Sequence, residues 1–177
     1  MSMSRHYVLA AGGTGGHMIP AYALGAELVE RGHRVALVTD ERGARIPGQF
    51  EKGQVHILPA GRVSGGPIGW LRAANAIRLG RSMAIELLRT FEPSAVIGFG
   101  GYPALPTLLA ARACGVPSLV HEQNAVLGRV NRLVATRVDA IATAYPEIER
   151  LPSHAADKVR LVGNPVREAI IALRDQE

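Results

Sequence analysis

Short apolar runs alternate with longer stretches of helical periodicity along most of the chain. Seven such runs, rich in apolar and β-branched residues, cover residues 7–11, 34–39, 55–59, 95–99, 118–121, 140–143 and 159–162. Several of them lack the alternation of a half-exposed strand, which is typical of strands covered by helices on both faces. The pattern therefore predicts an α/β fold with a Rossmann-like, doubly wound parallel sheet.

Helical patterns separate most of these runs, over residues 19–31, 71–91, 104–113, 127–135 and 166–173. Gly32 is placed to end the first helix in a left-handed conformation, and Pro93 to end the second. A chain of 177 residues, 47% of them hydrophobic, can bury one good core but is too short for two full-sized domains. We expect one domain over residues 1–177, stopping where a two-domain protein would place its hinge.

Composition limits the environment and the partners. A net charge of +5 and a pI near 10.0 favour phosphates, acidic lipid or nucleic acid, and charge alone does not choose among them. The single cysteine, Cys114, excludes an internal disulfide and fits a reducing cytoplasm. The apolar run at the N-terminus is too short for a signal peptide, and the uncharged run 95–111 is broken by three glycines and two prolines. We expect neither export nor a membrane span.

Polar and glycine-rich clusters follow several of the predicted strands. In doubly wound sheets ligands bind at the carboxyl ends of the strands, so these clusters are the candidates for a binding site. Their sequences are GGTGGH at 12–17, GGY at 100–102, HEQN at 121–124 and GNPVR at 163–167.

The first cluster has the character of an anion site. Glycines allow a ligand to come close to the backbone, and the amides at a helix start favour negative charge. A diphosphate is therefore the expected ligand. The alternative is a tight turn without a ligand. The rival is a dinucleotide site with Asp40 on a ribose, but its glycine fingerprint fails to match, because counted from Gly13 it requires glycine where Met18 stands. His17 is a candidate general base, or a histidine that only caps or packs on the helix.

The other clusters leave similar alternatives open. Four consecutive polar residues at 121–124 form either a satisfied internal network or a ligand-binding edge, and their position favours an edge suited to sugar hydroxyls over a metal site. Tyr102 is placed either to contact a ligand or to pack in its loop. Arg167 offers a planar cation to phosphate or sugar oxygens, or is a solvated surface charge.

Taken together and in this order, the four clusters resemble the N-terminal domain of the MurG family of N-acetylglucosaminyltransferases, which have the GT-B fold. The resemblance covers nearly the whole chain. It implies transfer of N-acetylglucosamine (GlcNAc) from UDP-GlcNAc to the muramyl 4-hydroxyl of lipid I, with inversion, to form lipid II. It further implies no cofactor, no metal and no nucleic-acid partner, and a peripheral location on the cytoplasmic face of the bacterial inner membrane.

The same resemblance implies roles for particular residues. His17 and Glu122 become candidates for catalysis or positioning, and Asn124 and Arg167 for contact with the donor. The full set of implied substrate-binding residues is Thr14, Gly15, Gly16, Gly100, Gly101, Tyr102, Gln123, Asn124, Asn131 and Arg167.

The resemblance also implies that the main uridine-diphosphate cleft lies in a second, C-terminal domain that this sequence does not contain. We therefore expect the isolated chain to fold without turning over. The alternative function is a stand-alone membrane-docking or lipid-binding subunit that works with a separate catalytic partner. A nucleotide-cofactor oxidoreductase is a more distant third hypothesis.

The segment 68–91 is a candidate membrane-docking surface. At about 100° per residue, Ile77, Ala84, Leu88 and Phe91 form one stripe that we assign to the core. Leu79 lies nearly opposite, with Arg78, Arg81 and Arg89 on a flank. The predicted docking surface, for an anionic membrane, comprises Ile68, Trp70, Leu71, Arg72, Arg78, Leu79 and Arg81. Alternatively, Trp70 folds back into the core and the arginines are ordinary solvated charges.

Overall fold

A seven-stranded, fully parallel sheet organises the chain. The computed structural model describes residues 4–46, 50, 54–59, 61, 66–166 and 170. The strands are β1 (His6–Ala11), β2 (Arg34–Thr39), β3 (Val55–Ile57), β4 (Ala95–Gly100), β5 (Ser118–Glu122), β6 (Ala140–Thr143) and β7 (Val159–Leu161). Their order across the sheet is β3-β2-β1-β4-β5-β6-β7. The predicted doubly wound sheet is confirmed, and each strand overlaps its predicted run.

Four α-helices connect the strands: α1 (Gly15–Glu30), α2 (Gly66–Phe91), α3 (Ala104–Cys114) and α4 (Arg129–Val134). Gly32 ends α1 as predicted, with a φ of 81°. Its N–H donates to Val29 O, and the next N–H donates to Leu28 O, the pattern of a Schellman motif. Glu92 takes a left-handed conformation directly after α2, ahead of Pro93.

The predicted helix boundaries need three corrections. Helix α1 begins at Gly15 rather than at residue 19, so the last two glycines of the first cluster form its first turn. Helix α2 begins at Gly66 rather than at residue 71, and α4 is shorter at both ends than residues 127–135. Most of the predicted helix 166–173 lies outside the described residues.

The two faces of the sheet are covered differently. Helices α2, α3 and α4 pack on one face around a core that includes Val8, Val96 and Leu108. Helix α1 packs on the other face, where Leu9, Met18 and Phe99 are buried. None of the helices in the described part of the chain is long and apolar enough to span a membrane.

The arrangement of β1 and β4 creates a crevice. The two strands are neighbours, but the chain leaves β1 into α1 on one face and leaves β4 into α3 on the other. Such a switch point opens a crevice at the carboxyl ends of the strands, where doubly wound folds bind ligands. The pairing also shifts there, because Ala10 is paired with Gly98 and Ala11 with Gly100. This irregularity sets the end of β4 beside the loop that follows β1.

Candidate functional site

Two glycine-containing loops meet backbone to backbone at the floor of the crevice. A Cβ atom on Gly101 would overlap the carbonyl oxygen of Gly12, and one on Gly12 would overlap the ring of Pro103. Gly101 also has a φ of 79°, a conformation that other residues adopt at a cost. Glycine is therefore required at both positions for this close approach, which joins the first and second clusters into one site.

The start of α1 presents free donors to this crevice. Thr14 precedes the helix in an extended conformation, and its side chain makes no capping hydrogen bond. The N–H groups of Gly15 and Gly16 have no acceptor among the described residues. Unpaired amides at a helix N-terminus favour an anionic ligand. The geometry of this loop is thus compatible with the predicted diphosphate.

His17 is held with one ring nitrogen turned toward the crevice. Its Nδ1 lies 3.1 Å from the carbonyl oxygen of Gly12 and 3.3 Å from Thr14 Oγ1. Because a carbonyl oxygen only accepts, Nδ1 carries a hydrogen, and in the neutral ring Nε2 is then the nitrogen with the lone pair. His17 Nε2 lies 3.0 Å from the position that a Cβ of Gly100 would occupy. The ring therefore packs over Gly100, with a basic nitrogen available to a ligand.

Glu122 is fully buried and fully hydrogen-bonded. Its Oε1 accepts the backbone N–H of Asn124 at 3.1 Å and the side-chain N–H of Asn124 at 3.0 Å. Its Oε2 accepts the backbone N–H of Gly128 at 2.8 Å and the side-chain N–H of Asn131 at 3.0 Å. The residue is only 1% exposed. Of the two roles expected of Glu122, catalysis or positioning, this geometry favours positioning, because both oxygens of the carboxylate are occupied by donors of the protein. The carboxylate holds the loop after β5 against the start of α4.

The remaining polar residues of this third cluster divide between network and edge. His121 is buried and donates from Nε2 to Gly163 O at 2.9 Å, which ties β5 to the fourth cluster. Gln123 donates its amide to Phe99 O at 3.1 Å. Asn124 is exposed at the rim. The cluster thus forms an internal network with Asn124 at its exposed edge, and contact of that edge with a ligand stays a prediction.

Tyr102 and Arg167 add little to this geometry. Tyr102 is half-buried and packs against the core under α3, the arrangement expected of a packed loop tyrosine. Arg167 lies outside the described residues.

Arg42 is a crevice residue that the sequence did not reveal. Asp40, at the end of β2, accepts the N–H groups of Gly13 and Gly43 on Oδ1, at 3.3 and 2.8 Å. Its Oδ2 lies 3.4 Å from Arg42 Nη2, and that nitrogen is 3.2 Å from the Cβ position of Gly13. Asp40 therefore pairs with an arginine that lies beside the first glycine cluster. The Glu-Arg pair at 41–42 gave no signal, because charged residues after a strand usually form a solvated turn.

The residues of the predicted docking surface on α2 are exposed, and docking itself stays a prediction. Trp70 and Leu79 are 65% and 52% exposed, and Ile68 and Leu71 are exposed more fully still. Arg72, Arg78 and Arg81 are exposed on the same helix. The alternative in which Trp70 folds into the core is wrong. Of the four residues assigned to the core stripe, Ala84 and Leu88 are buried, and Ile77 and Phe91 are half-buried. Ala73 and Gly80 are also buried on this face of α2.

Known proteins resemble the chain in sequence and in structure. The profile of the Glycosyltransferase family 28 N-terminal domain matches residues 7–143. A UDP-N-acetylglucosamine–N-acetylmuramyl-(pentapeptide) pyrophosphoryl-undecaprenol N-acetylglucosamine transferase from Sphingopyxis alaskensis is 61% identical over 176 residues, covering 99% of this chain and 45% of the relative. The transferase of the same name from Novosphingobium aromaticivorans is 62% identical over 175 residues, with the same coverage. The chain thus spans about half the length of these curated relatives.

Solved structures agree in fold. MurG of Acinetobacter baumannii superposes with a TM-score of 0.67 at 28% identity, over 93% of this chain and 47% of that one. Staphylococcus aureus MnaA, solved with UDP, superposes with a TM-score of 0.61 at 12% identity, over 91% and 44% of the two chains. At that identity the second likeness shows a shared fold alone.

Proposed function

Because the chain belongs to the Glycosyltransferase family 28 N-terminal domains, we propose that it is the acceptor-side half of an N-acetylglucosaminyltransferase of peptidoglycan synthesis. The complete enzyme transfers GlcNAc from UDP-GlcNAc to the muramyl 4-hydroxyl of lipid I and forms lipid II with inversion. The relatives' names give the reaction class. The observation that carries the proposal is His17, whose basic Nε2 faces a crevice beside a loop of free amides.

His17 acts as the general base in this proposal. The acceptor hydroxyl gives its proton to Nε2 while its oxygen forms a bond to the anomeric carbon of GlcNAc, opposite the departing diphosphate. The bond from that carbon to the diphosphate breaks, and UDP leaves with the electron pair. The Gly12 carbonyl supports this step, since it accepts the Nδ1 hydrogen and keeps the ring oriented as the imidazolium forms.

The first cluster binds the acceptor diphosphate. Thr14, Gly15 and Gly16 offer amides and a hydroxyl, and the guanidinium of Arg42 stands at the edge of the same loop. Backbone amides and an arginine are the usual partners of phosphate oxygens, and neither requires a metal. Lipid I thereby lies with its diphosphate on the α1 start and its muramyl sugar toward His17.

The other predicted residues keep roles that follow from their positions. Glu122 is a positioning residue in this scheme, holding Asn124 where it can contact the donor. Gly100 and Gly101 shape the crevice floor, while Gln123, Tyr102 and Arg167 remain predicted substrate contacts. The donor's uridine diphosphate binds mainly in the second half of the enzyme.

The docking surface on α2 brings the domain to the anionic cytoplasmic leaflet that holds lipid I. Its support is an exposed side of α2 on which Ile68, Leu71 and Leu79 lie with Arg72 and Arg78, while Trp70 is exposed on the opposite side of the helix from Leu79. We expect residues 1–177 to sediment with anionic vesicles and much less with neutral ones. The combined substitution Trp70→Ser, Leu79→Ser and Arg78→Glu should abolish that preference. Unchanged binding by the triple variant would remove α2 as the docking surface.

The same exposed surface favours a second candidate function, a stand-alone membrane-docking subunit that works with a separate catalytic partner. The two functions differ in what His17 does. Full-length protein should convert lipid I and UDP-GlcNAc to lipid II, and His17→Ala should lower kcat by about 100- to 10,000-fold without loss of folding. Residues 1–177 alone should give no lipid II. Full-length protein that makes no lipid II without a partner would favour the docking function, whereas a His17→Ala enzyme with wild-type kcat would refute the role of His17 as the base.

A further inference from the structure

One buried oxygen near His17 has no hydrogen-bond partner. Asn131 is 2% exposed, and its Nδ2 donates to His121 O at 3.2 Å and to Glu122 Oε2 at 3.0 Å. Both partners only accept, so the amide cannot be turned around, and Oδ1 must face the other way. Among the described residues Asn131 Oδ1 finds no donor. Leaving a buried acceptor unpaired is costly, which calls for a reason to retain it.

That oxygen and the His17 ring face the same point in the crevice. The Cβ position of Gly100 is 3.7 Å from Asn131 Oδ1 and 3.0 Å from His17 Nε2. Because residue 100 has no side chain, no Cβ fills the point that both groups adjoin. The negative end of the amide dipole therefore lies beside the same point as the ring that the proposed reaction charges.

We propose that Asn131 is a positioning residue for His17 rather than a substrate ligand, an inference that rests on the proposed function. When Nε2 takes the proton of the acceptor hydroxyl, the ring becomes a cation. The Asn131 carbonyl stabilises this cation, because a dipole buried away from water is only weakly screened and is already oriented before the reaction. Glu122 holds the amide in that orientation and so acts on His17 through Asn131.

The test is to make Asn131→Ala in the full-length enzyme twice, once with His17 present and once in the His17→Ala enzyme. GlcNAc transfer is measured with radiolabelled UDP-GlcNAc. With His17 present, Asn131→Ala should lower kcat about 10- to 100-fold, the range typical of groups that orient a reacting partner, and should change the KM for the acceptor little. In a His17→Ala enzyme the same substitution should cause no further loss, because no imidazole remains to be stabilised. A residue with a merely structural role would lower kcat in both backgrounds.

Asn124→Ala is the matched control. Asn124 also donates its amide to Glu122 at 3.0 Å, but from the exposed rim. Its substitution should cost the same factor with and without His17. Equal losses from Asn131→Ala in the two backgrounds would overturn the inference while leaving the proposed function intact.

Two measurements keep the result unambiguous. Thermal unfolding shows whether each variant folds. If Asn131→Ala does not fold, Asn131→Ser takes its place, because serine retains a hydrogen-bond donor on the side of Glu122. A wild-type full-length protein that transfers no GlcNAc would refute the proposed function, and the role of Asn131 would fall with it.

Discussion

Replacing Gly101 by alanine tests whether the two glycine loops meet at the crevice floor as described. The substitution has two costs in the folded protein. Gly101 has a φ of 79°, and a residue with a Cβ pays about 1–2 kcal/mol in that region. The new methyl group would also overlap the Gly12 carbonyl oxygen, and relieving such an overlap costs about 1–3 kcal/mol. Together the free energy of unfolding should fall by about 2–5 kcal/mol.

Gly32→Ala separates these two costs. Gly32 has nearly the same φ, 81°, but a Cβ there would meet nothing within 4 Å. This control should therefore lose only the conformational part, about 1–2 kcal/mol.

Urea denaturation of residues 1–177, followed by circular dichroism, measures both variants. The free energy of unfolding falls by about 1–3 kcal/mol for each molar increase in urea. The urea concentrations at the two unfolding midpoints should therefore differ by roughly 1 M, with Gly101→Ala unfolding at the lower one. Equal midpoints would show that the methyl group at residue 101 meets no backbone, and the joined site of the first and second clusters would have to be abandoned.

Two further predictions concern charge. Arg42→Ala should raise the acceptor KM of the full-length enzyme by about tenfold with little change in kcat, as expected for one lost charge-assisted contact. The control is Arg31→Ala, which removes an exposed arginine paired with Glu27 at the far end of α1. It should change neither the acceptor KM nor kcat. Equal KM values for the two variants would contradict a role for Arg42 in diphosphate binding. Burial lowers the pKa of the His56 imidazole below its usual 6.5. As the pH drops below about 6.5, the imidazole is therefore protonated in the unfolded chain before it is protonated in the folded chain, and the free energy of unfolding falls. His56→Gln should reduce the loss of melting temperature between pH 7 and pH 5, whereas the same change at the exposed His154 should reduce it less.

The sequence predicted the sheet well because its central strands are buried on both faces. Apolar runs of strand length, separated by helical patterns, have few other ways to bury themselves. Helix starts were harder to place. Gly15 and Gly66 have low helix propensity, yet both lie in first turns, because tertiary packing outweighs a local preference of about 1 kcal/mol.

Single-residue roles depended on contacts that no spacing reveals. The family resemblance made Glu122 a candidate for catalysis or for positioning, and the sequence did not choose between the two. The Glu122 carboxylate is occupied by donors from residues 124, 128 and 131, which only the fold of the following loop brings together. Arg42 was missed for the converse reason, since only the hydrogen bonds of Asp40 turn that segment toward the glycine cluster.

The central claim is that this chain holds the lipid-linked acceptor at the crevice between β1 and β4. Titrating ¹⁵N-labelled residues 1–177 with a short-chain, water-soluble analogue of lipid I tests it most directly. We expect saturable shifts of the amide signals of Thr14, Gly15, Gly16 and Gly101, and unmoved signals at β7, on the far edge of the sheet. Saturation without any response from these four amides, or shifts confined to another surface, would contradict it.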